Sequence, residues 1–246
     1  MQLGKEIKME TLAIRLIAWA WVITVPAVLL LRSELIMYRI PFYTISFAVL
    51  LGFIGLFLLA LSVMLGLIKG NGFGINTIAF VVLGLVLVMP AAIAIKSGTS
   101  VPLIHDITTD LEQPPVYDKI LSLRRASDNS LELDDKVMEM QSQHYTNILP
   151  LEIVGSKQDT FAQSLEQAEA MGWEVVSQDL DRGHIEAVVS TRLMGFKDDV
   201  VIRIRQQDET IRVDLRSASR VGDSDLGANA ARIVSFLDGL RARVAN

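Results

Sequence analysis

The sequence predicts three transmembrane helices followed by a soluble α+β domain, a mostly antiparallel sheet with two helices packed on one face. Three observations lead there. Before Gly98 the chain is almost continuously apolar, and after it the composition is that of a water-soluble domain. From Trp173 onward four segments alternate apolar and polar residues with period two, as half-buried strands do. Two segments with apolar residues at three-four spacing bracket them, which suits helices lying on a sheet.

A bilayer core takes about 20 residues of apolar helix. Residues 12–31, 42–68 and 75–95 each provide such a run and form the membrane domain, residues 1–96. Arg15 lies near one end of the first run, where its stem can snorkel to the headgroups. Pro41 suits the first turn of the second. The link KGNGFG is short and closes the last two runs into an antiparallel hairpin. Pro26 and Pro90 are expected to kink their helices, and Gly52, Gly55 and Gly66 to admit a neighbouring helix. No ionisable residue falls at mid-membrane, so no proton or ion path is expected.

Lys5, Lys8, Arg15 and Lys69 belong to one side of the membrane; Arg32, Arg39 and Lys96 belong to the other. That bias puts the N-terminus in the cytoplasm. Three spans then carry the C-terminal domain across, to the periplasmic side of a bacterial inner membrane. The first apolar run continues into further spans without a small-residue cleavage site, unlike a signal peptide.

Residues 97–148 read as an extended lead-in. HDITTDLEQPP ends in a double proline that disfavours helix. VYDKILSLRR and LELDDKVMEMQSQHY follow as short helices. The α+β domain then spans 149–246. LPLEIV is a strand, and DTFAQSLEQAEAMG a helix with Asp159 or Thr160 as cap, Gln163 completing a capping box, and Phe161, Leu165 and Ala168 on one face. The strands WEVVSQD, HIEAVVSTRL, DVVIRIRQ and TIRVDLRS come next, joined by turns. A last helix starts at Asp223–Ser224 and puts Leu226, Ala230, Ile233, Leu237, Leu240 and Val244 on one stripe.

Strand alternation assigns the faces. Ile202, Ile204, Ile211, Val213 and Leu215 go under the helices, and Trp173 into the core. Arg203, Arg205, Arg212, Asp214 and Arg216 go to the opposite face, which reads as a lattice of arginines with few acids.

Charge divides with the domains. Residues 1–97 carry +4, and residues 98–246 carry −9. A soluble half this acidic excludes nucleic acid as a partner, because phosphate backbones need a cationic surface. The chain has no cysteine, which excludes disulfides, iron–sulfur clusters and thiol catalysis. Nor does it hold a glycine-rich phosphate loop or a recognisable metal-ligand spacing. No cofactor is expected.

The segments VPLIHDITTD, MGWEVV, GFKDDVVIRIR and VDLRSASRVGDSDLGANAARI together resemble an uncharacterised bacterial and plastid family, the domain of unknown function numbered fourteen ninety-nine. The resemblance runs from His105 to about Leu240. At Tyr145–Asn147 the chain has YTN where the family has Tyr-Pro-Asp. The resemblance implies a membrane-linked module and brings no catalytic assignment.

The stretch from Arg216 to Asn229 turns from a strand into a helix. A helix N-terminus offers unpaired N–H groups and partial positive charge, so Arg216, Ser217, Ser219, Arg220, Ser224 and Asn229 form a candidate site for an anion or a partner. The structural alternative has Asp223 and Asp225 capping that helix and pairing with Arg216 and Arg220. Arg203, Arg205 and Arg212 form a candidate partner face. His105, Asp106 and Asp110 are a weak metal trio, short of a fourth ligand. Asp198 and Asp199 are adjacent in a strand and so point apart; they are expected to serve as a turn and as partners for the Arg203/Arg205 face. A serine hydrolase assembled from Ser217 or Ser219 with His105 and Asp106 lacks the nucleophile elbow. These features favour a binding or accessory subunit, with the bilayer and a protein of a larger membrane complex as partners. The alternative is an anion- or lipid-headgroup-binding domain, or a hydrolase, built on the Arg216/Arg220 corner.

Overall fold

The computed structural model describes residues 3–244, with the side chains of residues 3–8 left aside. Lys5 and Lys8, used in the charge count, therefore fall outside the described side chains. The chain divides into two compact units, residues 1–96 and 97–246.

The first unit is built from helices α1 (Leu3–Ser33), α2 (Arg39–Ile68) and α3 (Ile75–Gly98). Met9–Ser33, Arg39–Ile68 and Ile75–Gly98 are each long and apolar enough to cross a membrane. Small residues sit where the helices meet, as expected when backbones approach closely in lipid. A Cβ added to Gly55 would lie 2.7 Å from Ile17 Cγ1 and 3.1 Å from the Ala13 carbonyl, and one on Gly52 would lie 2.7 Å from Leu87 Cδ2. Gly84 faces Leu56 in the same way. Gly66 does not belong to this set: a Cβ there would meet only Asn71, in the turn that follows its own helix. Pro26 and Pro90 both lie inside their helices. Large apolar side chains such as Trp19, Phe47, Phe53 and Phe57 point outward, the arrangement lipid requires.

The second unit has the element order β1 (Asp106–Thr108), a 3-10 turn (Lys119–Leu123), α4 (Asp135–His144), β2 (Leu151–Val154), α5 (Lys157–Ala170), β3 (Glu174–Asp179), β4 (His184–Ser190), β5 (Lys197–Gln207), β6 (Thr210–Ser219) and α6 (Ala228–Val244). All strand pairs are antiparallel. β3, β4, β5 and β6 lie side by side in that order, and the outer edge of β6 is shared by two short strands. β2 pairs with its first half, Leu151 opposite Val213; β1 pairs with its last residues, Asp106 opposite Ala218.

β1 corrects the reading of 97–148 as a lead-in outside the sheet. Its three buried residues complete the edge of β6, and α4 then closes it from outside. The Gln141 amide accepts from the Thr108 N–H at 3.1 Å and donates to the Thr108 carbonyl at 2.6 Å, standing in for one more strand residue.

Both helix starts also differ from expectation. α5 begins after Ser156, whose hydroxyl accepts from the Asp159 N–H at 3.0 Å and donates to its carboxylate at 2.6 Å; the reciprocal cap is Ser156–Asp159, not a box closed by Gln163. α6 begins at Ala228, because Leu226 and Gly227 both take left-handed backbone angles, φ 56° and 85°, that a helix cannot contain. Asp225 caps it, accepting from the Gly227 and Asn229 N–H groups at 2.8 Å each. Leu226 is therefore off the apolar stripe and exposed.

α5 and α6 cover one sheet face. Ile202, Ile204, Ile211, Val213 and Leu215 are buried there with Phe161, Ala168, Ile233, Leu237 and Leu240. Trp173 stacks on Phe236 with ring centroids 5.1 Å apart. The other sheet face carries a smaller apolar cluster, Tyr117, Ile120, Val201 and Ala218, supplied partly by the segment between β1 and α4.

Candidate functional site

Period-two alternation places Asp199, Arg203 and Arg205 of β5, Arg212, Asp214 and Arg216 of β6, Glu186 of β4 and Asp106 of β1 on the face away from α5 and α6. This corrects the expected lattice of arginines with few acids. Acids stand among the arginines, several of them contributed by segments far away in sequence, and the face resolves into separate ionic groups.

Arg216 is committed to Asp106. Its Nε lies 3.0 Å from Oδ1 and its Nη2 2.7 Å from Oδ2, a bidentate pair. Nη1 donates to the Pro115 carbonyl at 3.3 Å and Nη2 also to that of Leu131. The guanidinium lies over the Tyr117 ring, 5.1 Å from its centroid. Burial works against the Arg216 cation, but Asp106 more than offsets it, so Arg216 holds its proton more tightly than a free arginine. Burial pushes the Asp106 carboxyl above its ordinary value, further than Arg216 draws it back.

Arg220 is committed to Asp199, with Nε at 3.0 Å and Nη2 at 2.6 Å from Oδ1. Arg124 reaches the other oxygen of the same carboxylate. Arg220 Nη1 donates to the Leu123 carbonyl at 3.3 Å. Glu186, fully buried, accepts from the N–H groups of Asp118 and of Ile120, the latter at 2.7 Å, and so fixes the start of the 3-10 turn. The Tyr117 hydroxyl donates to the Asp199 carbonyl at 3.1 Å, and burial pushes its ionisation well above the ordinary tyrosine value. A buried guanidinium held this way is spent on the fold.

The candidate corner is thereby divided. Arg216 and Arg220 lie on one sheet face; Ser217 and Ser219 lie on the other, where Asn229 of α6 meets them. There the Ser217 hydroxyl donates to Asn229 Oδ1 at 2.7 Å, and Asn229 Nδ2 donates to Ser219 Oγ at 3.0 Å and to the His105 carbonyl at 2.9 Å. Arg232 bonds Ser217, Asn229 and Asp198. Ser224 takes part only in the turn, accepting from the Leu226 N–H at 3.2 Å. Asp223 and Asp225, expected to neutralise Arg216 and Arg220, are not their partners; Asp106 and Asp199 are. Asp198 and Asp199 do point apart, but towards Arg232 and Arg220 and not towards Arg203 and Arg205. Burial lifts the Asp198 carboxyl above its ordinary value, against the pull of Arg232.

His105, Asp106 and Asp110 are not gathered. His105 contributes its backbone carbonyl, Asp106 faces Arg216, and Asp110 belongs to the third ionic group. Among the described residues no cluster of His, Cys, Asp and Glu has the makings of a metal site.

That third group joins Arg203, Arg205 and Arg212 through two carboxylates. Asp214 Oδ2 lies 2.9 Å from Nη2 of both Arg203 and Arg205, and its Oδ1 2.9 Å from Arg212 Nε. Asp110 Oδ2 lies 2.8, 3.2 and 3.3 Å from Nη2 of Arg203, Arg205 and Arg212. Asp110 is oriented by its own turn, its Oδ1 accepting from the Glu112 and Gln113 N–H groups at 3.2 and 2.9 Å. Burial alone would raise the Asp110 carboxyl, but the Gln113 N–H and the guanidinium groups of Arg212 and Arg203 hold it below its ordinary value. The side chains of Arg203, Arg205 and Arg212 are 18, 32 and 23% exposed, against 6% for Arg216 and 10% for Arg220. Among the arginines of the two candidate sites, those of the partner face are the more exposed.

Sequence reasoning missed Arg124, Arg232 and Glu186. Their roles depend on which strand or turn they meet across the sheet, and no local spacing announces that.

The fold and its ionic groups define a class: a protein with three membrane-spanning helices and an α+β domain whose second sheet face is held by buried arginine–aspartate pairs. The family model described as Protein of unknown function (DUF1499) matches residues 106–240, more than half of the chain, and the chain belongs to that family. Comparison with curated proteins found no match.

Proposed function

We propose that this chain is a membrane-anchored binding subunit that presents its α+β domain to a protein of a larger membrane complex, through the face bearing Arg203, Arg205 and Arg212. One observation carries this reading: these three arginines share two carboxylates and stay partly exposed, while Arg216 and Arg220 are closed off by their own partners. Partly desolvated arginine is a favoured anchor at protein interfaces. The division of labour within the chain agrees. Apolar helices provide the anchor, the buried pairs stiffen the domain, and the Ser217 hydroxyl donates to Asn229 while that of Ser219 accepts from Asn229 and bonds the Asp198 carboxylate. In the same proposal the membrane is a bacterial inner membrane, the N-terminus is cytoplasmic and the domain is periplasmic, as the charge bias of the loops favours.

Purification of the full chain in mild detergent tests the proposal. A second polypeptide is expected in stoichiometric amount. A monodisperse monomer from native membranes, with nothing bound, would overturn it.

A further inference from the structure

We infer that the Arg203–Arg205–Arg212 cluster is a receptor for one carboxylate supplied from outside the domain, the third acceptor for three guanidinium groups that now share two. The inference rests on the reading of this face as a docking surface and names the chemistry it takes.

Charge comes first. Three arginines meet Asp110 and Asp214, which leaves one positive charge uncompensated within the hydrogen-bonded group. One monoanion restores the balance, whereas a phosphate dianion would overshoot it. Donor count comes second. Asp110 Oδ2 already faces three guanidiniums and Asp214 Oδ2 two, so the present acceptors are crowded. The Nε–H of Arg205 is shut off from water and has no acceptor among the described residues. A buried donor left without a partner is unfavourable, and Arg205 relieves it by turning towards an incoming acceptor. Geometry comes third. The guanidinium fork matches carboxylate oxygens in pairs, whereas here Asp110 meets all three arginines through Oδ2, and Asp214 meets Arg203 and Arg205 through Oδ2 and Arg212 through Oδ1. Partial exposure of all three side chains leaves a route in.

A carboxylate outside the hydrogen-bonded group also acts on this cluster. Glu152 stands opposite Arg212 in the β2–β6 pairing, is exposed, and acts on Arg212 through its charge. It competes with the external carboxylate for the same field, so its removal is expected to strengthen binding.

The test uses the full chain in detergent, labelled with nitrogen-15 at arginine, titrated at constant ionic strength with acetate, with the blocked glutamate N-acetylglutamate amide, and with phosphate; chloride is the control. The Nε–H signals of Arg205 and Arg212 are expected to shift saturably with either carboxylate, and those of Arg216 and Arg220 to stay put. The source is an acidic side chain of the partner protein, so the blocked glutamate is expected to bind more tightly than acetate, and an equal response to acetate would overturn that assignment. Glu152→Gln is expected to tighten binding a few-fold, the scale of an exposed charge pair, and Arg205→Gln to abolish it. Should Arg205→Gln fold poorly, Glu152→Gln still decides, since it removes no contact within the cluster. Equal shifts with chloride, a stronger response to phosphate, or no tightening in Glu152→Gln would each overturn the inference. A chain that purifies with its partner yet ignores carboxylates would leave the docking role standing and sink only this assignment.

Discussion

Replacing Asp199 by asparagine separates a structural corner from a ligand site. The Asp199 carboxylate is fully buried and serves two guanidiniums, those of Arg220 and Arg124, which are themselves largely closed off from water. Asparagine keeps the shape but removes the charge and turns one oxygen into a donor pointing at cations. Breaking a buried pair by neutralising one partner costs about 3 kcal/mol or more, because the other charge stays buried without compensation. For a domain of this size about 3 kcal/mol lowers the melting temperature by roughly 6–12 °C. The assay is thermal unfolding of the full chain in detergent, following the transition in which Trp173 leaves its stack on Phe236. An unchanged melting temperature would refute the reasoning: Arg220 would then not depend on Asp199, and the corner would be open to an anion after all.

Asn229→Ala removes the side chain that joins Ser217, Ser219 and the His105 carbonyl, and is expected to cost about 1–3 kcal/mol in the same melt. Acid is expected to weaken the Asp110 group. The folded Asp110 carboxyl titrates below its ordinary value of 3.8, so its contribution is complete above that pH and is lost as pH falls through the lower folded value. Melts of wild type and Asp110→Asn should therefore converge below about pH 4; a difference that stays constant from pH 6 to pH 3 would contradict the pairing. In the membrane unit, Gly55→Val drives a side chain against Ile17 and the Ala13 carbonyl. A disulfide between cysteines placed at Ala20 and Ala48, buried together in a chain with no cysteine of its own, is expected to form in the parent and fail in the Gly55→Val variant.

Much of the architecture was legible because its causes are local. Hydropathy alone marks three spans, and alternation alone assigns Ile211, Val213 and Leu215 to the core and Arg203, Arg205 and Arg212 to the far face. β1 was not legible. Three residues are too few to show a period, and its partner strand lies more than a hundred residues away, Asp106 opposite Ala218. The same distance hid the true partner of Arg216. Sequence proximity suggested Asp223 and Asp225, but the sheet register brings Asp106 and Asp199 to the arginines instead. The start of α6 was misplaced because Leu226, a residue that disfavours left-handed backbone angles, adopts one here and leaves Asp225 as the cap. The three-arginine cluster was foreseen as a face, while its two aspartates arrive from β6 and from the turn after β1.

The docking role of that face can be read most directly by site-specific photocrosslinking in intact membranes. A photoreactive residue at Glu152, exposed and opposite Arg212, is expected to capture a protein of the membrane complex, and the same probe at Asp238, exposed on α6 beside Arg241, is expected to capture none. Adducts at Asp238 with none at Glu152 would place the partner on the helix side and contradict the assignment.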